Sequence, residues 1–101
     1  MLIRQVKEMA RFDPAAPVKL QVSDGTHCRT TVWCLEIGQE IHPHAHAGDH
    51  VWTIVEGEGW VVSGTSDPLL VEPGSLFFAP AGEPHGIKAG TRLVFVSVTA
   101  G

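Results

Sequence analysis

Nowhere in these 101 residues do lysines or arginines gather into a run, and only seven of them stand against eleven aspartates and glutamates, a formal net charge of −4. A nucleic-acid surface needs a basic stripe to displace the counterions condensed on phosphate, so no nucleic-acid partner is expected. The same lack argues against an anionic membrane surface. Long apolar runs are missing too. The longest, such as Leu93 to Val98, are strand-sized and well short of the roughly 20 residues that carry a helix across a bilayer. Met1-Leu2-Ile3-Arg4 runs straight into Gln5, Lys7 and Glu8 without the apolar core of a signal peptide, and a cytoplasmic location is expected. Cysteine is scarce. Cys28 and Cys34 do not form a CxxC pair, and in a reducing compartment both are expected to serve as small buried hydrophobes.

Helical periodicity is another absence. After Asp13 no stretch keeps a 3.6-residue apolar repeat for a dozen residues without glycine or proline, and at most Gln5 to Phe12 forms a turn or two. There is no linker, repeat or low-complexity segment, so the chain reads as one domain, 1–101. Glycine and proline instead punctuate it at short intervals, at Ser23-Asp24-Gly25, Gly38, Gly57-Glu58-Gly59, Asp67-Pro68, Pro73-Gly74, Pro80 to Pro84 and Ala89-Gly90. Between them lie runs rich in Val, Ile, Thr, Leu, Phe and Trp. They predict strands at Val18–Val22, His27–Ile37, Val51–Glu56, Trp60–Ser63, Leu69–Glu72, Leu76–Ala79 and Arg92–Thr99. Short strands at such spacing predict an all-β sandwich or barrel. Leu93-Val94-Phe95-Val96 is apolar on both faces, so one face fills the interior and the other meets a second layer or a partner subunit, which predicts a homodimer.

Against this background the six histidines stand out, because His42, His44, His46, His50 and His85 fall in two short neighbourhoods. In a strand, residues two apart share a face, so His44-Ala45-His46 can present two imidazoles to one ion. His50 follows after Gly48, which permits a bend. His85 follows the rigid Pro80-Ala81-Gly82-Glu83-Pro84 turn. Neutral imidazole is the commonest protein metal ligand, and adjacent strands of a barrel can converge on one point. His42 shares the parity of the pair, but Pro43 interrupts the strand there and puts His42 at the rim. His27 is isolated and reads as an ordinary turn residue. Asp49 alternates away from His50.

The spacing resembles that of the cupin superfamily. Its first motif, Gly, five residues, His-x-His, then a glutamate and a final Gly, is matched by Gly38, His44, His46 and Gly57, with His50 standing where the glutamate falls. Its second, Gly, five residues, Pro-x-Gly, two residues, His, three residues, Asn, is matched by Gly74, Pro80, Gly82 and His85, with Ala89 in place of the asparagine. The resemblance implies a double-stranded β-helix, or jelly-roll barrel, and one divalent metal (Zn, Fe, Ni or Mn) on His44, His46, His50 and His85. It is nearest to the four-histidine minority of cupins, the polyketide cyclases among them. Four neutral imidazoles leave the full charge of a dication, which favours anionic oxygen ligands and Lewis-acid chemistry. The expected function is therefore that of a small-molecule metalloenzyme of dioxygenase, isomerase or cyclase type, with a non-catalytic ligand-binding module as the alternative. If His50 points inward, alternation brings Trp52 and Ile54 with it, and His85 brings Ile87. These and His42 are the expected pocket wall. Glu36, Glu40 and Glu56 are the acidic residues near it, of undetermined direction.

Overall fold

The densest runs of β-branched and aromatic residues become the longest strands. The computed structural model describes residues 1–64 and 67–101. Among them a single helical turn, α1 (Val6–Met9), precedes β1 (Val18–Asp24), β2 (Cys28–Leu35), β3 (Glu40–His44), β4 (Asp49–Glu56), β5 (Gly59–Ser63), β6 (Leu69–Val71), β7 (Leu76–Ala79), β8 (His85–Ala89) and β9 (Leu93–Ala100). The strands form two antiparallel sheets, ordered β1-β2-β9-β4-β7 and β3-β8-β5-β6. The jelly-roll expectation holds. No described helix is long and apolar enough to cross a membrane.

The main core lies between the sheets. Leu35, Trp52, Ile54, Leu93 and Phe95 from the larger sheet meet Val61, Val71, Ile87 and Ala89 from the smaller one. The odd residues of β9 thus face inward, and Val94 and Val96 face outward with Val32 and Cys34. Much of that outer face is covered by the chain itself: Val6, Met9, Ala10 and Phe12 pack on it. The segment is anchored where the Arg92 guanidinium lies 4.5 Å over the Phe12 ring and where Gln39 Nε2 donates to the Asp13 carbonyl at 2.7 Å. Towards β7 this cover stops, and Leu76 (68% exposed) and Phe78 (56%) face outward bare.

Three local expectations change. Cys34 is buried and burial pushes its thiol up, but Cys28 is exposed, because it opens β2 at the tip of the β1–β2 hairpin, beyond the packed face. Two strands, β3 and β8, run through segments too poor in strand-forming residues to be predicted as such. Gly48 is needed for proximity rather than for a bend alone: a Cβ there would meet the Ala100 carbonyl, where the end of β9 passes.

Candidate metal centre

The two sheets bring four histidines to one end of the sandwich from three directions. His44 ends β3 and is the register partner of His85, which opens β8 in the same sheet. His50 is the second residue of β4 in the other sheet, opposite Ala79 and Thr99. His46 lies just past the end of β3, in the connection to β4, so the His-x-His pair is brought together by a strand end and a turn rather than by alternation within one strand. A bulge between Ile41 and His44 turns His42 outward, where its side chain is 82% exposed and lies 3.6 Å from the Glu40 carboxylate.

Two hydrogen bonds tie the loops that carry the histidines. Gly82 donates its N–H to the His46 carbonyl at 2.8 Å, and Ala81 donates to Asp49 Oδ1 at 2.8 Å. Asp49, directed away from the histidines, thus holds the turn that delivers His85.

Among the described residues, His46, His50 and His85 form a group whose donor atoms all lie within 4.8 Å of one another and which could hold a metal ion. His44 lies outside that group, its ring 4.2 Å from that of His46, centroid to centroid. Backbone carbonyls set two of the tautomers. His85 Nδ1 donates to the Glu83 carbonyl and His44 Nδ1 to the His42 carbonyl, each at 2.9 Å. A carbonyl only accepts, so each Nδ1 carries the proton and each Nε2 keeps its lone pair, the arrangement that metal-bound histidines show. His50 (5% exposed) and His85 (2%) are buried, yet both nitrogens of His50 and Nε2 of His85 have no hydrogen-bond partner among the described residues. Each such orphan costs about 1–3 kcal/mol, and a shared cation is the partner these convergent lone pairs fit. Electrostatics prepares the same state. Burial, with the charges of His46, His85, His44 and Arg29 added, pushes His50 down to about 4, and His46 is lowered chiefly by burial as well.

His44, His46 and His50 open on a cavity of about 250 Å³, with His85 behind them. Its wall is completed by Trp52, Trp33 and Ile41, by the hydroxyls of Thr31, Ser97 and Thr99, and by Lys19 and Arg29.

The sequence profile of the family described as "Cupin domain" matches residues 31–99, more than half of the chain. The chain is a cupin. Its architecture is shared with an RmlC-like cupin from Desulfovibrio desulfuricans (TM-score 0.93, 26% identity, covering 99% of this chain and 96% of that one) and with a protein from Thermus thermophilus (TM-score 0.90, 33% identity, 99% and 97% covered). The polyketide cyclase RemF from Streptomyces resistomycificus shares the fold at 24% identity (TM-score 0.76, 83% and 64% covered). No curated protein matches the chain in sequence.

In this cupin, Trp52 lines the cavity, its ring centroid 4.8 Å from that of His85. Ile54 and Ile87 share its inward direction but lie deeper, in the core beneath the cavity. Trp33, Lys19, Arg29, Thr31, Ser97 and Thr99 were not legible as wall residues, because they come from strands without the clustered histidines. Glu36 is drawn off by Arg92, whose Nε and guanidinium NH2 nitrogen donate to its two oxygens at 2.8 and 3.0 Å. Glu40 faces His42, Glu56 is exposed, and none of the three lines the cavity.

The metal-free cupin is expected to lose stability in mild acid. His50 holds a value of about 4 when folded against 6.5 for an ordinary histidine, so between the two the unfolded chain binds more protons. Stability from this source is complete above about pH 6.5 and disappears as pH falls towards 4, a loss of about 3 kcal/mol. Thermal unfolding of metal-free protein between pH 7 and 4.5 measures it. An equal slope in His50→Gln would remove His50 as its source.

Proposed function

We propose that this cupin binds one divalent metal ion per chain through His44, His46, His50 and His85. With it the protein acts on a small oxygenated or enolisable substrate, in a reaction of dioxygenase, isomerase or cyclase type. The observation that carries the reading is the set of buried imidazole nitrogens left without partners around one point. Zinc would suit isomerisation or cyclisation; iron, nickel or manganese would suit dioxygenation. The bound metal would polarise a substrate oxygen. The chain's part is to hold four neutral donors in place, to supply the cavity against which the substrate is oriented, and to close its inner end with Trp52.

A second reading, a ligand-binding module without turnover, is favoured by one feature of the wall. Among the described residues no carboxylate lines the cavity, so once the histidines are ligands no aspartate, glutamate or free histidine remains on its wall to serve as acid or base. The bare outer face at Leu76 and Phe78 supports a homodimer in which a second copy covers it. A cytoplasmic setting belongs to the same reading, with no part for nucleic acid or a membrane surface.

One preparation tests the proposal. Protein purified without added metal, then loaded and desalted, is expected to hold one equivalent of metal per chain and to scatter light as a dimer at micromolar concentration. Failure to retain zinc, iron, nickel or manganese overturns the metal reading. A monomer overturns the assembly.

A further inference from the structure

The charges of this acidic chain are distributed unevenly about the cavity. Eleven carboxylates outnumber seven lysines and arginines overall, yet among the described residues the cavity is lined by Lys19 and Arg29 and by no aspartate or glutamate. Neither cation has an ion-pair partner among the described residues, whereas Glu36 and Glu40 are engaged elsewhere, by Arg92 and His42. Lys19 Nζ lies 5.5 Å over the Trp33 ring, which steadies an otherwise mobile ammonium at the mouth.

The sheet register places these groups relative to the histidines. Arg29 pairs with Thr99 across β2–β9, and Thr99 pairs with His50 across β9–β4, so the three side chains form one row on the inner face. Arg29 is two strands from His50, roughly 10 Å at the usual strand spacing. Thr31 and Ser97 form the next row, paired with each other and followed by Trp52, whose indole N–H has no acceptor. The wall between histidines and Arg29 therefore carries hydroxyl groups, and its far end carries positive charge.

We propose that the cavity selects a small dianion with two oxygen-bearing ends, a hydroxy- or keto-dicarboxylic acid. One end faces the histidine site, and the distal carboxylate is held by the Arg29 guanidinium with Lys19 beside it. This rests on the metal reading above, because the histidine end is where the first oxygen pair is held. The guanidinium is the fitting group, since its planar fork meets a carboxylate with two parallel hydrogen bonds. A monoanion of the same shape would leave both rim cations unpaired. The arrangement also explains an acidic protein whose histidine-lined cavity presents cations to solvent: steering draws small anions to a mouth that the rest of the surface repels.

The test uses zinc-loaded protein and a pair of ligands differing only at the distal end, malate and 2-hydroxybutyrate, titrated calorimetrically at fixed ionic strength. The wild type is expected to bind malate at least about tenfold more tightly, the scale of one favourable charge contact at a partly exposed rim. In Arg29→Gln that preference should fall to within about two- to threefold, with zinc content unchanged and malate affinity lowered much more than 2-hydroxybutyrate affinity. Arg29→Lys should restore part of it, and Lys19→Gln should lower it less than Arg29→Gln does. Equal affinity of the wild type for the two acids overturns the proposal. So does a preference that survives in the Lys19→Gln/Arg29→Gln double variant. Both variants are exposed changes, and zinc content separates the failures. Protein that takes up none of zinc, iron, nickel or manganese overturns the metal reading, whereas full zinc with no preference for malate overturns the rim assignment alone.

Discussion

Replacing His44 and His85 together by alanine is expected to abolish metal retention, leaving a folded chain that emerges from desalting empty. The double change leaves only His46 and His50, too few donors for a stable site. Even the outer partners of metal-bound histidines cost 10- to 100-fold in affinity when removed, so losing two ligands outright should cost at least about 10³-fold. Elemental analysis against protein concentration gives the occupancy, and circular dichroism confirms the fold. His85 is buried, so its removal also opens a void among Trp52, Phe77 and His50. The pair His44→Ala/His46→Ala, at the less buried side, removes two ligands without that void and is expected to give the same empty protein. Full occupancy in either double variant defeats the ligand assignment. In the wild type, loading should also raise the melting temperature, because the ion binds the folded chain and relieves the orphaned nitrogens of His50 and His85.

The second large effect lies away from the site. Gly57→Ala should destabilise the protein by about 3 kcal/mol or more, lowering the melting temperature by well over about 10 °C for a chain of this size. Gly57 turns β4 into β5 at φ +83°, and a Cβ there would run into the Arg92 carbonyl, with Thr91 Oγ1 also close. The turn cannot retreat easily. Glu58 N–H donates to Thr91 Oγ1 at 2.9 Å, and the Glu58 carbonyl accepts from Gly90 and Thr91 at 2.9 and 3.1 Å. Gly74 supplies the control. It holds φ +91° with nothing near its would-be Cβ, so Gly74→Ala carries only the conformational cost of about 1 kcal/mol. Thermal and denaturant unfolding of the two variants compares them. If Gly57→Ala is no worse than Gly74→Ala, the close approach is not what demands glycine there.

The legible parts of the fold share a cause. β2, β4, β7 and β9 are dense in Val, Ile, Thr, Phe and Trp, so local preference and tertiary role agree, and their predicted bounds fall within two residues of those observed. β3 and β8 escaped notice for the opposite reason. β3 contains Pro43, tolerable because β3 is an edge strand, and β8 opens on His85-Gly86; both are held by partners rather than by propensity. At the site, ligand spacing was visible because it lies within short stretches of chain. The cationic wall was not, because Lys19, Arg29 and Trp33 acquire their place only through the pairing of β1, β2 and β9, with Arg29 set beside His50 by a strand some seventy residues later. Parity within β2 was a usable signal: Arg29, Thr31, Trp33 and Leu35 share a face, so once Leu35 is known to be core, Arg29 must look inward too.

The pair of hydrogen bonds linking the His46 connection to the Pro80–Pro84 turn divides the cavity into a part that is hard to alter and a part that is easy. A length change in either loop would be felt at two histidines at once, since Gly82 is bonded to His46 and Ala81 to Asp49, next to His50. Lys19 and Arg29, by contrast, project from strands whose backbone is fixed by sheet pairing, and their exchange disturbs no loop. On the proposed reading, ligand preference could therefore be redesigned one side chain at a time on the β1–β2 wall, while the histidine cluster stays as it is.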